Sequence, residues 1–245
     1  METLINEKMS IEQFNVISDV FSQAITGELI GMSNFASLAE TIDDPHQKME
    51  AVEHANSERM HAEGFMEYAK KAKLNININL DGTYWKNIRN HFLEYARKKD
   101  FIACLIIQEV MLESFAVSMY TDVGQALGGT MGKLFLNIAE EEKEHLAHSS
   151  EILCTEFNAG SNAFIAKFEE LHFKCMHVLS EFSATTDLGG HCGVCNGECM
   201  KKSLHHINLD VTTMRGNALA LYAQALDNIG IPGEVSIVWI ANLPA

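Results

Sequence analysis

Two short stretches of the sequence place a histidine three residues after a glutamate, a spacing that suits metal binding. Glu58 precedes His61 in "ERMH", and Glu142 precedes His145 in "EKEH". On a helix, side chains three residues apart share one face, so a carboxylate and an imidazole can bind the same ion. Both stretches therefore predict metal ligands.

Each of these motifs follows another glutamate at nearly the same distance. Glu28 lies 30 residues before Glu58, and Glu113 lies 29 residues before Glu142. One glutamate from each of two helices, with Glu-x-x-His from each of the other two, is the ligand set of dinuclear carboxylate centres in four-helix bundles. Oxygen and nitrogen donors suit iron or manganese. The predicted ligands of two metal ions are Glu28, Glu58, His61, Glu113, Glu142 and His145.

A third Glu-x-x-His motif, Glu169 and His172, is interpreted differently. Its upstream acid, Glu140, does not fall on the apolar stripe that contains Ile138 and Glu142. We therefore expect Glu169 and His172 to be surface or inter-helix polar residues, and Glu140 to be solvated.

The elements that carry the predicted ligands read as helices, because apolar residues recur at steps of three and four. Within these stripes Glu28 and Glu113 stand where an apolar residue is expected. Buried carboxylates that lie together must take up protons or bind cations. The predicted helices cover about residues 10–40, 45–73, 84–98, 100–120, 130–157, 162–182 and 209–228. The fold class is all-α, with Asp44 and Asp100 as helix caps.

Composition limits the function classes. The chain has 245 residues, 47% hydrophobic content and a net charge of −15, which fits a folded core and argues against a nucleic-acid partner. The sequence contains no uninterrupted apolar run of membrane-spanning length and no secretory signal pattern at its start. We expect a cytoplasmic protein with one domain over residues 1–245, and a Cys- and Gly-rich insertion at 184–204.

Four stretches resemble a known family. "GELIGMSNFASLAE", "ERMHAEGF", "ACLIIQEVMLESFAVSMY" and "EEKEH" are similar to the cyanobacterial aldehyde-deformylating oxygenases, or fatty aldehyde decarbonylases, of the ferritin-like superfamily. The resemblance implies a ferritin-like four-helix bundle with additional helices packed around it, and two iron ions on the six predicted ligands. It also implies a reaction of a fatty aldehyde with O2 and four electrons from a ferredoxin-type donor, giving an alkane one carbon shorter plus formate. An acyl reductase would supply the aldehyde.

The resemblance also suggests neighbours of the centre. Tyr120 and Gln108 stand where the family places a tyrosine and a glutamine near the metals, and Glu141 stands where the family has an aspartate. Apolar residues beside the ligands are candidates for a substrate channel, with ordinary bundle core as the alternative. These residues are Ala24, Ile25, Phe65, Phe115 and Ala116.

The family lacks one feature of this chain, the cluster Cys192, Cys195 and Cys199 beside His191. Such a cluster could hold zinc, an Fe-S cluster or a reversible disulfide, or could be a loop of free thiols.

Two alternatives to aldehyde deformylation remain open from the sequence. The same di-iron cofactor could hydroxylate, desaturate or N-oxygenate another apolar substrate. A ferritin-like protein could instead store iron or scavenge peroxide.

Overall fold

The computed structural model describes residues 9–185 and 203–243. Within these ranges the chain forms helices and turns, and no strand is present. The predicted all-α class is confirmed.

The first two helices begin at side-chain caps, of which the sequence predicted the second, Asp44. Helix α1 spans Ile11–Thr41, and the Ser10 side chain accepts a hydrogen bond from the Gln13 backbone at its start. Helix α2 spans Pro45–Ala72 and begins at Asp44, whose carboxylate accepts from two backbone amides of the first turn. The segment between α2 and the next helix is a loop.

The central helix is longer and less regular than predicted. After α3 (Thr83–Arg97), it consists of α4 (Phe101–Leu105), a π-helix (Ile106–Leu112) and α5 (Glu113–Leu127). The sequence predicted a break after Tyr120. The helix instead continues to Leu127. It ends there because Gly128 and Gly129 adopt positive φ angles of 59° and 57°, a backbone conformation that glycine tolerates best.

The remaining helices lie close to their predicted positions. They are α6 (Gly129–Ala159), α7 (Ser161–Thr185), a 3₁₀ turn (Leu204–Ile207), α8 (Val211–Ile229) and α9 (Gly233–Ala241). The sequence did not predict α9. The cysteine cluster, Cys192, Cys195 and Cys199 with His191, falls outside the described residues.

Two helical hairpins build the bundle. Helix α1 packs along α2, and α5 packs along α6. At the turn of the second hairpin the backbones touch, since a Cβ atom on Gly132 would lie 2.2 Å from the Gly124 carbonyl oxygen. Helix α8 covers α5 and α6, while α3 contacts α1 and α7.

The apolar core has two parts, and the predicted ligands lie where they meet. One part contains Phe21, Phe65 and Phe135, and the other contains Phe35 and Leu146. On α1, α2 and α6 the ligand glutamate stands between residues of the two clusters. The candidate site is therefore near the middle of the bundle.

One described helix, Phe101–Leu127, is long and apolar enough to cross a membrane by length and composition. The most apolar part of this helix is 89% buried against the rest of the protein. Such burial is typical of the central helix of a bundle.

The third Glu-x-x-His motif connects the outer helices. His172 is fully buried and lies 2.9 Å from the hydroxyl of Tyr222 and 3.1 Å from the Trp239 carbonyl oxygen. Glu169 accepts a hydrogen bond from the Trp239 indole. Both residues therefore make polar contacts between helices, which is one of the two outcomes expected from the sequence.

Candidate metal centre

Four of the predicted ligands converge at the centre of the bundle. Glu28 of α1, Glu58 and His61 of α2, and Glu142 of α6 each place a ligand atom within 4.8 Å of those of the other three. All four side chains are buried. Three helices thus supply three carboxylates and one imidazole to one small volume.

Buried ligand atoms in this group approach one another without satisfying hydrogen bonds. The Nδ1 atom of His61 lies 2.7 Å from Glu142 Oε1 and 3.3 Å from Glu28 Oε2. None of these three atoms has a hydrogen-bond partner of normal geometry. Unsatisfied buried polar atoms are costly, and donor atoms that face one another in this way fit a cation placed between them. The residues present therefore fit a metal ion.

Protonation in the metal-free protein offsets part of the negative charge. Burial raises the pKa values of Glu58 and Glu113 well above normal, and neighbouring carboxylates raise them further. Burial alone would lower the pKa of His61, but Glu142 and Glu28 outweigh it and raise the pKa to about 11. Burial opposes ionisation of Glu142, yet His145 and His61 lower its pKa overall. These pKa shifts favour protons at the positions where a cation would bind.

The other two predicted ligands adjoin this group. The Nδ1 atom of His145 lies 2.8 Å from Glu142 Oε2, and its Nε2 atom lies 3.2 Å from the Ser57 hydroxyl. Glu113 is 4% exposed and accepts a 3.1 Å hydrogen bond from the Gln108 amide. Glu113 is not within the four-residue group described above.

The residues expected beside the ligands do contact them. Tyr120 donates a short hydrogen bond to Glu28, and Gln108 accepts one from Asn34 while it donates to Glu113. Glu141, exposed on α6, lies 3.0 Å from Nε2 of His61. Each contact orients one candidate ligand, as outer hydrogen bonds do in metal sites.

A glycine makes room for the Glu58 carboxylate. A Cβ atom on Gly31, one turn after Glu28, would lie 2.6 Å from the carboxyl carbon of Glu58. This glycine lies in a stretch that resembles the family, and its role was not predicted from the sequence. Its only sequence signal is its position three residues after a candidate ligand.

An apolar cavity reaches the carboxylates. Its wall is almost entirely apolar, and Glu28, Glu58 and Glu113 are among the few charged groups that it contains. The remaining wall comes from α1, α3, the central helix, α6, α7, α8 and the 3₁₀ turn. An apolar molecule in this cavity would have one part beside the candidate ligands.

The five predicted channel residues divide between the cavity and the core. Ala24, Phe115 and Ala116 line the cavity. Ile25 and Phe65 do not line it, and are fully buried in the apolar cluster around Phe21. These residues were predicted to line the channel because they are close to a ligand in the sequence. Whether a side chain reaches the cavity depends instead on which neighbouring helix it faces.

Comparison with known proteins identifies the family. A family model described as long-chain fatty aldehyde decarbonylase matches residues 12–178, which is more than half of the chain. The chain belongs to this family. A solved structure of a Synechococcus protein described as having aldehyde deformylating oxidase activity aligns with a TM-score of 0.77 and 18% identity. The match covers 95% of this chain and 97% of that chain, and shows that the two share a fold.

The resemblance, the ferritin-like fold and the enzyme class expected from the sequence are confirmed by these findings. In a fatty aldehyde decarbonylase, a group of buried carboxylates and histidines that could hold a metal is a candidate active site. The identity of the metal and the role of each ligand stay predictions.

This decarbonylase-family chain has a second buried polar group beside His145, which was not predicted from the sequence. His54 of α2 and Glu109 of the π-helix are 7% and 1% exposed, and their side chains approach to 3.3 Å. Burial lowers the pKa of His54 to about 4 and raises that of Glu109 to about 8. The sequence did contain a sign of this group, because Glu109 is an acidic residue within the most apolar helix and lies one turn before Glu113.

Proposed function

We propose that this protein is a non-haem di-iron oxygenase. It would convert a long-chain fatty aldehyde, O2, four electrons and four protons into an alkane one carbon shorter, formic acid (released as formate) and water. The observation that carries this proposal is the apolar cavity that ends at Glu28, Glu58 and Glu113. Membership of the aldehyde decarbonylase family supports the same substrate class.

The donor set supports two irons as the cofactor. Four carboxylates and two histidines, with no thiolate, favour iron or manganese, and bound iron would supply the electron transfer that O2 reduction requires. We propose as ligands Glu28, Glu58, His61, Glu113, Glu142 and His145.

The chain's own residues would prepare this site. The apolar walls from Ala24, Phe115 and Ala116 would bind the acyl chain and exclude water from the reacting carbon. Tyr120 would hold Glu28, and Gln108 would hold Glu113, through the hydrogen bonds described above. A ferredoxin-type electron donor, an acyl reductase that supplies the aldehyde, a cytoplasmic location and one domain over residues 1–245 belong to the same proposal.

The test uses the full chain loaded anaerobically with iron(II). Octadecanal labelled with ¹³C at the carbonyl carbon, O2 and a chemical reductant are added, and we expect heptadecane and ¹³C-formate in equal amounts. Glu144→Gln, at an exposed acid of α6, is the control and should keep the activity. A protein that binds two irons but gives neither product would exclude this reaction and favour another substrate for the same cofactor.

Storage of iron is the less suitable alternative. A storage site needs an aqueous path for ions, whereas the cavity at these carboxylates is apolar. Release of stoichiometric alkane would exclude storage as the main activity.

A further inference from the structure

We propose that His54, Glu109 and His145 form a separate binding position for a divalent transition-metal ion, beside the candidate di-iron centre. We call it the outer position. It adds a third ion to the two of the proposed function, and it depends on different side chains except for His145.

Three elements bring this group together. His54 comes from α2, Glu109 from the π-helix and His145 from α6. One ligand atom of each lies within 4.8 Å of those of the other two, and His54 Nδ1 lies 3.3 Å from Glu109 Oε1. An ion about 2.1 Å from each donor needs donors roughly 3 to 4 Å apart, so small side-chain rotations suffice.

A second, independent observation concerns one carboxylate oxygen of Glu109, which lacks a hydrogen-bond partner. The Oε2 atom of Glu109 is buried and has no hydrogen-bond partner of normal geometry. The buried Ser149 hydroxyl lies close enough to this carboxyl group to favour its ionised form, but it too makes no hydrogen bond of normal geometry. Glu109 is 1% exposed, so water does not replace the missing partner at the surface. A buried carboxylate oxygen without a partner is costly, and a bound cation removes that cost.

The donor types select the class of metal. Two imidazoles and one carboxylate suit iron(II), zinc, cobalt or manganese, whereas calcium and magnesium prefer oxygen donors alone. The outer position and the candidate centre meet at His145, whose Nδ1 atom faces Glu142 at 2.8 Å. The His145 ring lies 5.2 Å from that of His54 and 6.2 Å from that of His61, between the two groups. To bind an ion through each of its two ring nitrogens, His145 would have to release its remaining ring proton to solvent and bridge the two positions as an imidazolate.

The test locates the ions directly. Crystals of the full chain are grown with three equivalents of Co²⁺, and anomalous difference maps are calculated. We expect two peaks among the six ligands of the proposed function and a third beside Glu109 and His54. Absence of a peak at Glu109, with both central peaks present, would overturn the outer position and leave the proposed function standing. A peak at Glu109 without central peaks would overturn the ligand set of the proposed function instead.

Variants test the same claim in solution. Glu109→Gln and His54→Ala should each weaken binding of the third Co²⁺ equivalent by about tenfold or more, as judged by titration of cobalt absorbance, and leave the first two equivalents bound. Glu144→Gln and His148→Ala, at exposed positions on α6, are matched controls and should retain three. Circular dichroism checks that each variant folds. If Glu109→Gln binds the third equivalent as tightly as the wild type, the proposal is wrong.

Discussion

At the scale of single residues, the candidate centre depends on charges that the protein cannot leave unneutralised. Glu28, Glu58, Glu113 and Glu142 are each at most 4% exposed. Their mutual repulsion in a medium of low dielectric constant is relieved by protons in the metal-free protein, and by cations in the proposed holoenzyme. Changes at these residues should therefore alter metal binding first.

Removing a ligand should remove at least one iron. We expect Glu113→Ala and His145→Ala each to bind at least one iron fewer per chain than the wild type, and to lose turnover, since each removes a donor of the proposed centre. Iron is counted by metal analysis after anaerobic loading and desalting. Either variant binding as much iron as the wild type would show that the ligand assignment is wrong.

Substitution of Gly31 should affect metal binding without unfolding the protein. In Gly31→Ala the new methyl group meets the mobile end of Glu58, so the carboxylate must move away. We expect iron affinity to fall by about tenfold or more, as it does in other metal sites when a residue that positions a ligand is changed. The unfolding free energy should change by less than about 1 kcal/mol.

The matched control for Gly31→Ala is Gly64→Ala. A Cβ atom at Gly64 makes only an ordinary contact, 3.7 Å from Leu134. Its iron affinity should equal that of the wild type. Equal iron affinities in the two variants would contradict the role assigned to Gly31.

Metal binding should release protons and strengthen as the pH rises. The raised pKa values of Glu58, Glu113 and His61 favour the protonated form of each group before metal binds. A cation must displace those protons, so affinity should increase about tenfold per pH unit for each proton released.

Calorimetric titration with Co²⁺ in two buffers of different ionisation enthalpy measures the protons released. Glu58→Gln should release fewer than the wild type. Affinity that does not change between pH 6 and 8 would contradict the predicted protonation.

At the scale of elements, the hairpin of α5 and α6 is closed by two glycines. Gly132→Ala would place a methyl group 2.2 Å from the Gly124 carbonyl oxygen, which is backbone and cannot rotate away. Overpacking of this kind typically costs about 1 to 3 kcal/mol. We expect a loss of about 2 kcal/mol or more in the unfolding free energy, measured by urea denaturation.

Gly216→Ala on α8 is the control for the hairpin variant. A Cβ atom at Gly216 has no heavy atom within 4 Å. Alanine there should leave stability unchanged or raise it by about 0.4 to 1 kcal/mol, because it restricts the unfolded chain. If both variants are equally stable, the two helices do not pack as closely as described.

At the scale of the whole molecule, metal should stabilise the fold, because the ligands come from four separate helical segments that come together only in the folded state. Cations at about 100 times their dissociation constant add about 2.7 kcal/mol. For a chain of this size that corresponds to a rise in Tm of roughly 5 to 10 °C.

Differential scanning calorimetry with Co²⁺ and with a chelator measures this shift in Tm. His61→Ala, which lacks one proposed ligand, should show a smaller shift. An equal shift in this variant would mean that the stabilising ion binds elsewhere.

The amino-acid sequence predicted most of the helices, except α9 and the last part of the central helix, and predicted which of their faces are buried. Periodicity is a local property, so the interruption of apolar stripes by Glu28 and Glu113 could be read without knowing how the helices pack. The two Glu-x-x-His spacings indicated the ligand faces of α2 and α6 for the same reason. The family followed from these stretches as well.

The contacts between side chains of different helices could be known only from the folded structure. The contact of Gly31 with Glu58, the group of His54 and Glu109 beside His145, and the division of the channel residues all join positions distant in sequence. Glu109 is buried because the whole central helix around it is enclosed by other helices, and Ile25 packs in the core instead of lining the cavity. These relations depend on the relative rotation and spacing of packed helices, which no single helix encodes.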